Sequence, residues 1–293
     1  METEPTSVEE FIVDRITPRE GMRYWPRDGV VSTGGLLERA AKARGLTLRR
    51  VGKTHLLFYA GARLVGSFDG RETNLVSAQA AQAAGSSRLQ QGYLRAAGVP
   101  TASEAGDSEP SAHGAVGDSA DGGALALRCY VLGETVVAAV VRVPRHVVGT
   151  GEDSLAGLIA AEQSVWRKSA YLADLPRKRV RRHLARQGLD EELVPEEGRV
   201  IFLEELSGAP GRAITVDVLD DLGEDVVSLA VDAMWAFPGL DGAVVDLRTP
   251  RLDAAEGAAA AGVDPAGDIV EFRHPTYGAD RRVAVDIIDR MKR

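Results

Sequence analysis

Residues 127–142 constrain this chain more than any other stretch. They read Leu-Arg-Cys-Tyr-Val-Leu, then Gly-Glu, then Thr-Val-Val-Ala-Ala-Val-Val-Arg. Two runs rich in β-branched and aromatic side chains meet at Gly133-Glu134, which is the signature of two antiparallel strands joined by a tight turn. Cys129 alternates with Leu127 and Val131 and is expected to be packed and chemically inert.

The rest of the chain alternates helix and strand patterns. Ser32-Thr33-Gly34-Gly35 offers a helix start, Leu36, Leu37, Ala40 and Ala41 share one face, and Gly45 closes the helix. Short strands are expected at 47–51, 55–60 and 63–68, with helices at 76–84 and 88–97. Residues 8–30, interrupted by Pro18 and Pro26, read as a strand or two with loops. Beyond the hairpin, Asp153 or Ser154 caps a helix to about 171, and a second helix covers 176–188. Strands at 199–206 and 213–219 flank the turn Gly208-Ala209-Pro210-Gly211. A helix at 226–237, strands at 242–247 and 268–273, and an amphipathic helix at 283–291 complete an α/β or α+β pattern.

Residues 101–123 break this rhythm. They hold Glu104, Asp107, Glu109, Asp118 and Asp121, no Lys or Arg, and almost no large apolar residue. Such a stretch buries too little surface to offset its ordering entropy and is expected to be a flexible acidic, Gly/Ser-rich connection. The expected organisation is therefore an N-terminal α/β region at 1–100, a linker at 101–123 and a C-terminal region at 124–293.

Charge and composition exclude some roles. A net charge of −8 argues against a general nucleic-acid binder, which needs a basic surface. No apolar run approaches the roughly 20 residues that span a bilayer. The acidic first residues do not read as a secretory leader, and a single cysteine forbids an internal disulfide, so a cytoplasmic setting is expected. The basic run 177–183 is interleaved with Val180 and Leu184 at helical spacing and reads as a solvated helix face. His146 and His274 read as structural, and no Ser/His/Asp triad can be assembled.

The block "helix, Arg-Gly-Leu, strands, two helices, Ala-Ala-Gly-Val-Pro", followed by the hairpin, Val-Pro-Arg-His-Val-Val-Gly-Thr-Gly and a capped helix, resembles ATP-grasp proteins of the cyanophycin synthetase and bifunctional glutathione synthetase branch. The resemblance covers about 36–100 and 125–291. It implies an ATP-grasp-like fold with a shortened small lid subdomain. It also implies ATP and Mg²⁺ as cofactors and an acyl-phosphate route that joins a carboxylate to an amine. Arg128 and Arg142 match arginines of the family's lid hairpin and are the candidate catalytic residues. Arg88 stands where the family usually has a Lys and, with Arg199, is a candidate for nucleotide binding. Asp246 and Glu271 match the metal-ligating acids; the alternative is that they are strand-end acids paired with Arg248 or Arg273.

Departures from the family pattern are as informative as the matches. No lysine lies between Lys53 and Lys168, where the lid would carry its phosphate-binding lysines. The Glu-x-Asn pair has become Glu271-Phe272-Arg273, and Arg has no acceptor and a fixed positive charge. If Arg273 replaces a metal ion, it should pair with Glu271 or Asp246. The Asn-x-Ser-x-Gly-Gly stretch has lost its Asn and gained Pro210, and Thr150 replaces the acid of Gly-Asp-Gly. Two functional classes follow from the resemblance. One is a degenerate, accessory or scaffolding protein that forms a homo-oligomer or pairs with an intact ATP-grasp ligase. The other is a working ATP-dependent ligase acting on small carboxylate and amine substrates.

Overall fold

Five antiparallel strands in the order β10-β9-β4-β5-β8 form the central sheet. The structure is a computed structural model and describes residues 7–26, 29, 31–102, 124–172, 174–207, 209 and 211–293. Along the described residues the elements are α1 (Val8–Arg15), α2 (Thr33–Ala43), β1 (Thr47–Val51), β2 (His55–Ala60), β3 (Arg63–Phe68), α3 (Ala78–Ala84) and α4 (Ser87–Ala96). Then come β4 (Leu125–Leu132), β5 (Thr135–Val143), β6 (His146–Val148), α5 (Leu155–Trp166), α6 (Arg177–Arg186), β7 (Val200–Phe202) and β8 (Ile214–Asp217). The chain finishes with α7 (Glu224–Trp235), β9 (Gly242–Thr249), β10 (Ala259–Asp264), α8 (Val270–Arg273) and α9 (Val283–Met291). The mixture of helices with antiparallel sheets is an α+β fold.

The β4–β5 hairpin forms as its sequence requires. Leu132 faces Thr135 across the turn, and Gly133 takes φ 60°, a conformation that favours Gly at the first turn position. The hairpin lies inside the sheet, with β9 on the free edge of β4 and β8 on that of β5. Both of its faces are covered. Leu127, Cys129, Val131, Ala139, Val141, Val143, Val245 and Leu247 point into one apolar cluster, which also takes Phe11 and Ile12 of α1, Leu94 of α4 and Val226 and Met234 of α7. Tyr130, Leu132, Ala138, Val140 and Val244 point the other way, into a cluster shared with α2, α8, α9 and the small sheet β1-β2-β3.

The second cluster is built mainly by α2 and α9. Leu36, Leu37, Ala40 and Ala41 form the buried stripe of α2, as their spacing predicts, and meet Ala284, Ile287, Ile288 and Met291 of α9. Each fully buried aliphatic side chain here stabilises the fold by about 1.5–3 kcal/mol. Strand β3 crosses close above α9. A Cβ on Gly66 would lie 2.4 Å from the Met291 sulfur, so any larger residue there would force the methionine side chain to move.

Several expectations are corrected. Residues 8–15 form a helix rather than a strand, because Ser7 and Glu10 close a capping box and Phe11 and Ile12 give the helix a buried face. The helix after Ser154 ends at Trp166, and the strand expected at 199–206 is only Val200–Phe202. Residues 268–273 are not a strand: 270–273 make a single helical turn, and the strand beside β9 is the Ala/Gly-rich segment 259–264. Thr101 bridges Ala260. The remainder of the expected flexible connection, 103–123, lies outside the described residues, and so does any shortening of a lid there. No helix among the described residues is long and apolar enough to cross a membrane.

Candidate functional site

Strand alternation assembles the site. Odd-numbered positions of β4 and β9 enter the first cluster, so Arg128 and Asp246 share the opposite face and stand directly across from each other in the ladder. Arg142 of β5 lies on that same face, two residues beyond Val140. Glu271, from the single turn α8, comes down over it.

The Arg128 fork grips Asp246 twice. Its Nε donates to Asp246 Oδ1 at 2.7 Å and its Nη2 to Oδ2 at 2.9 Å, while Nη1 donates to Glu271 Oε1 at 2.6 Å. Arg142 Nη2 donates to the Ser207 carbonyl at 2.8 Å, and its Nε stands 3.2 Å from Glu271 Oε2, near enough for an ion pair but without hydrogen-bond alignment. Arg142 Nη1 is buried with no hydrogen-bond partner among the described residues. Two guanidiniums and two carboxylates are thus enclosed together, which balances the formal charge. Burial pushes the Asp246 carboxyl toward neutrality, but Arg128, helped by Arg142 and Arg248, outweighs it and holds the pKa below the usual Asp range. Burial likewise opposes the Arg128 charge, and the two acids more than compensate.

Arg128 is therefore the cation that meets both acids, and the Arg248 charge also acts on Asp246. Arg273 turns away and pairs with Asp280. The reason is the helical turn: residues two apart in a helix point about 200° apart, so Glu271 is buried while Arg273 reaches outward. The side-by-side display that a strand would have given to Glu271 and Arg273 does not form. The donor set does not suit magnesium, which needs near-octahedral oxygen ligands. The oxygens of Asp246 and one oxygen of Glu271 accept hydrogen bonds from Arg128, the position of the third family ligand is an Arg, and no group of three or more acids, histidines or cysteines among the described residues could hold a metal.

The other candidates lie apart. Arg88, the second residue of α4, is exposed, as is Arg199, whose carbonyl accepts from Gly149 N at 2.8 Å. Neither forms an ion pair among the described residues. Thr150 accepts from Asp153 N at 3.0 Å and so fastens the turn that leads into α5. On α6, Val180 and Leu184 are buried while Arg177 and Arg181 pair with Glu191, the solvated face that the spacing predicts. Cys129 is fully buried, which raises its thiol pKa.

Two further buried side chains lie nearby, of which only Tyr171 escaped the sequence reading. The Tyr171 hydroxyl is buried close enough to Glu271 and Asp268 for their charges to act on it, and burial drives its pKa up. His274 is buried against Trp25, ring centres 4.5 Å apart; burial, then the charges of Arg273 and Arg39, lower its pKa to about 4. Only the apolar surroundings of Tyr171 could have signalled burial, since no spacing rule links it to residue 271.

No family model matches the chain. It is 27% identical over 172 residues to the glutathione biosynthesis bifunctional protein of Enterococcus faecalis, across 55% of this chain and 22% of that protein. Its structure superposes on a crystal structure of a bifunctional glutathione synthetase from Pasteurella multocida with a TM-score of 0.67 and 17% identity, covering 89% of this chain and 44% of that one. The chain thus spans about a fifth to under half the length of these two proteins. It is similar in part of its sequence to one bifunctional glutathione-biosynthesis protein and shares the fold of part of another.

Proposed function

We propose that this chain is a degenerate ATP-grasp-like protein with an accessory or scaffolding role, acting as a homo-oligomer or beside an intact ATP-grasp ligase. One observation carries the reading: the Arg128 guanidinium occupies the space between Asp246 and Glu271, where the resemblance would put magnesium ions. A fixed organic cation there neutralises both carboxylates and keeps the cluster closed without metal. Arg273 in place of the family's Asn, and the missing lysines between Lys53 and Lys168, support the same reading. A bound nucleotide would stabilise the fold by mass action, by about 2.7 kcal/mol at a hundredfold excess over its Kd. Thermal melts with and without millimolar Mg-ATP are therefore expected to coincide.

A second reading, an active ADP-forming carboxylate–amine ligase, is favoured by a different observation. Arg128, Arg142, Asp246 and Glu271, all singled out by the resemblance, meet in one buried cluster. An active site of this kind would have to open the Arg128 pairs before metal and nucleotide enter. Under that reading Mg-ATP raises the melting temperature clearly, and ADP forms when small carboxylates and amines are supplied.

A further inference from the structure

A second group of buried charges lies close to Gly211. Arg142 donates to the Ser207 carbonyl, and Arg145 Nη2 stands 3.5 Å from the Gly211 carbonyl. Arg145 follows β5 directly and is only 1% exposed. Its Nε is 2.9 Å from Glu204 Oε1, and its guanidinium lies over the Trp166 ring, 5.6 Å from the centroid. Glu204, just past β7, is 4% exposed. Two further guanidiniums converge on its other oxygen: Arg179 Nη1 at 3.7 Å and Arg212 Nη1 at 3.8 Å from Oε2.

Those last two distances are too long for hydrogen bonds. Arg179 and Arg212 crowd one carboxylate oxygen without donating to it, and Arg212 Nη1 is buried with no hydrogen-bond partner among the described residues. Three guanidiniums surround Glu204, and the further acid whose charge acts on Arg145 is Asp174. Arg179 and Arg212 therefore bring N–H donors together beside Glu204 Oε2 that do not bond to it. The Arg145–Glu204 pair closes the inner end of this group. The Arg179 side chain is 51% exposed, so its outer end opens to solvent.

We propose that Arg179 and Arg212, floored by the Arg145–Glu204 pair, form an anion subsite that takes a carboxylate or phosphate group of a small molecule. The ligand oxygens accept from both guanidinium forks at the mouth, supplying the charge-assisted bonds that Glu204, held from below by Arg145, does not. The site is built from Arg179 of α6, Glu204 just past β7, Arg145 just past β5 and Arg212, and it uses none of the four residues of the central cluster, so it stands whether or not the chain binds nucleotide.

The test is calorimetric titration of the full chain with inorganic phosphate and, separately, with succinate. Arg179→Gln and Arg212→Gln are each compared with Arg182→Gln, which removes a charge from the same helix but from outside the group. Saturable binding of at least one probe is expected, weakened about tenfold or more by either of the first two changes and unaltered by Arg182→Gln. Preference for phosphate or for succinate assigns the group recognised. Absence of saturation with both probes overturns the proposal, as does equal weakening in Arg182→Gln or no weakening in Arg179→Gln. Arg179 sits on an exposed helix face, so its variant remains informative even if Arg212→Gln fails to fold.

Discussion

Without the Arg128 guanidinium, Asp246 would be left as a buried carboxylate with its hydrogen bonds unmade, and Glu271 would lose its shortest contact. Arg128→Met keeps much of the side-chain length and removes the charge. It is expected to cost about 3–5 kcal/mol at neutral pH, measured by urea unfolding, because breaking a buried pair strands the partner charge. The cost should depend on pH in a defined direction. In the native protein Asp246 is held below its ordinary pKa, so its stabilisation is complete above the unfolded value of about 3.9 and is lost as pH falls through the lower folded value. In the variant the unpaired acid has a raised folded pKa, and its penalty is relieved on acidification. The gap between the two proteins should therefore narrow as pH falls, first above about 3.9 as the variant's stranded acid takes up a proton and then below it as the native pair is lost; a gap that widens would mean that Asp246 is not the stranded group. Arg273→Ala breaks only a partly exposed pair and should cost no more than about 1 kcal/mol. This contrast reflects what was legible. Arg128, Arg142 and Asp246 fall on one sheet face by counting alternate residues, whereas the exchange of Arg273 for Arg128 as partner of the acids depends on a helical turn that no alternation reveals.

At the scale of elements, legibility followed the strength of the local signal. The hairpin, α2 and α9 carry period-2 or period-3.6 apolar patterns, and their places match. The failures are instructive: Ile-Val-Glu-Phe-Arg at 269–273 has strand-like composition yet folds as a helical turn, while Ala-Ala-Ala-Gly-Val-Asp, a poor strand former, pairs with β9. Tertiary packing overrode propensity in both cases. Helix α1 was missed although its start is spelled out: Ser7-Val-Glu-Glu10 is a capping box, with Glu10 N donating to Ser7 Oγ at 3.1 Å and Ser7 N donating to the Glu10 carboxylate at 2.8 Å. Ser7→Ala should cost about 0.5–2 kcal/mol, and calorimetry should record a lower Tm. Because α1 delivers Phe11 and Ile12 to the main core, the loss should appear in global unfolding and not as local fraying alone. An unchanged Tm would mean that the helix is held by packing and not by its cap.

The whole molecule is bound together across long sequence distances. Phe11 and Ile12 share a core with Val131 and Phe237, and Leu37 shares another with Phe272 and Ile288, so both apolar clusters draw on residues before 100 and after 124. Both clusters thus span the division at 101–123 that composition suggests. Residues this interdependent should unfold together. Far-ultraviolet circular dichroism and tryptophan fluorescence are expected to give one coincident denaturation curve. Fluorescence reports on both sides of the division, since Trp25 packs against His274 and Trp166 lies beneath Arg145. A fragment of residues 124–293 would lose the α1, α4 and α2 side chains that fill both apolar clusters, leaving among others Ile288 of α9 without its α2 partners. It should show no cooperative transition and should aggregate through the uncovered apolar surface. Two separate transitions in the full chain, or a monomeric fragment that melts cooperatively, would instead establish 1–100 and 124–293 as independent folding units.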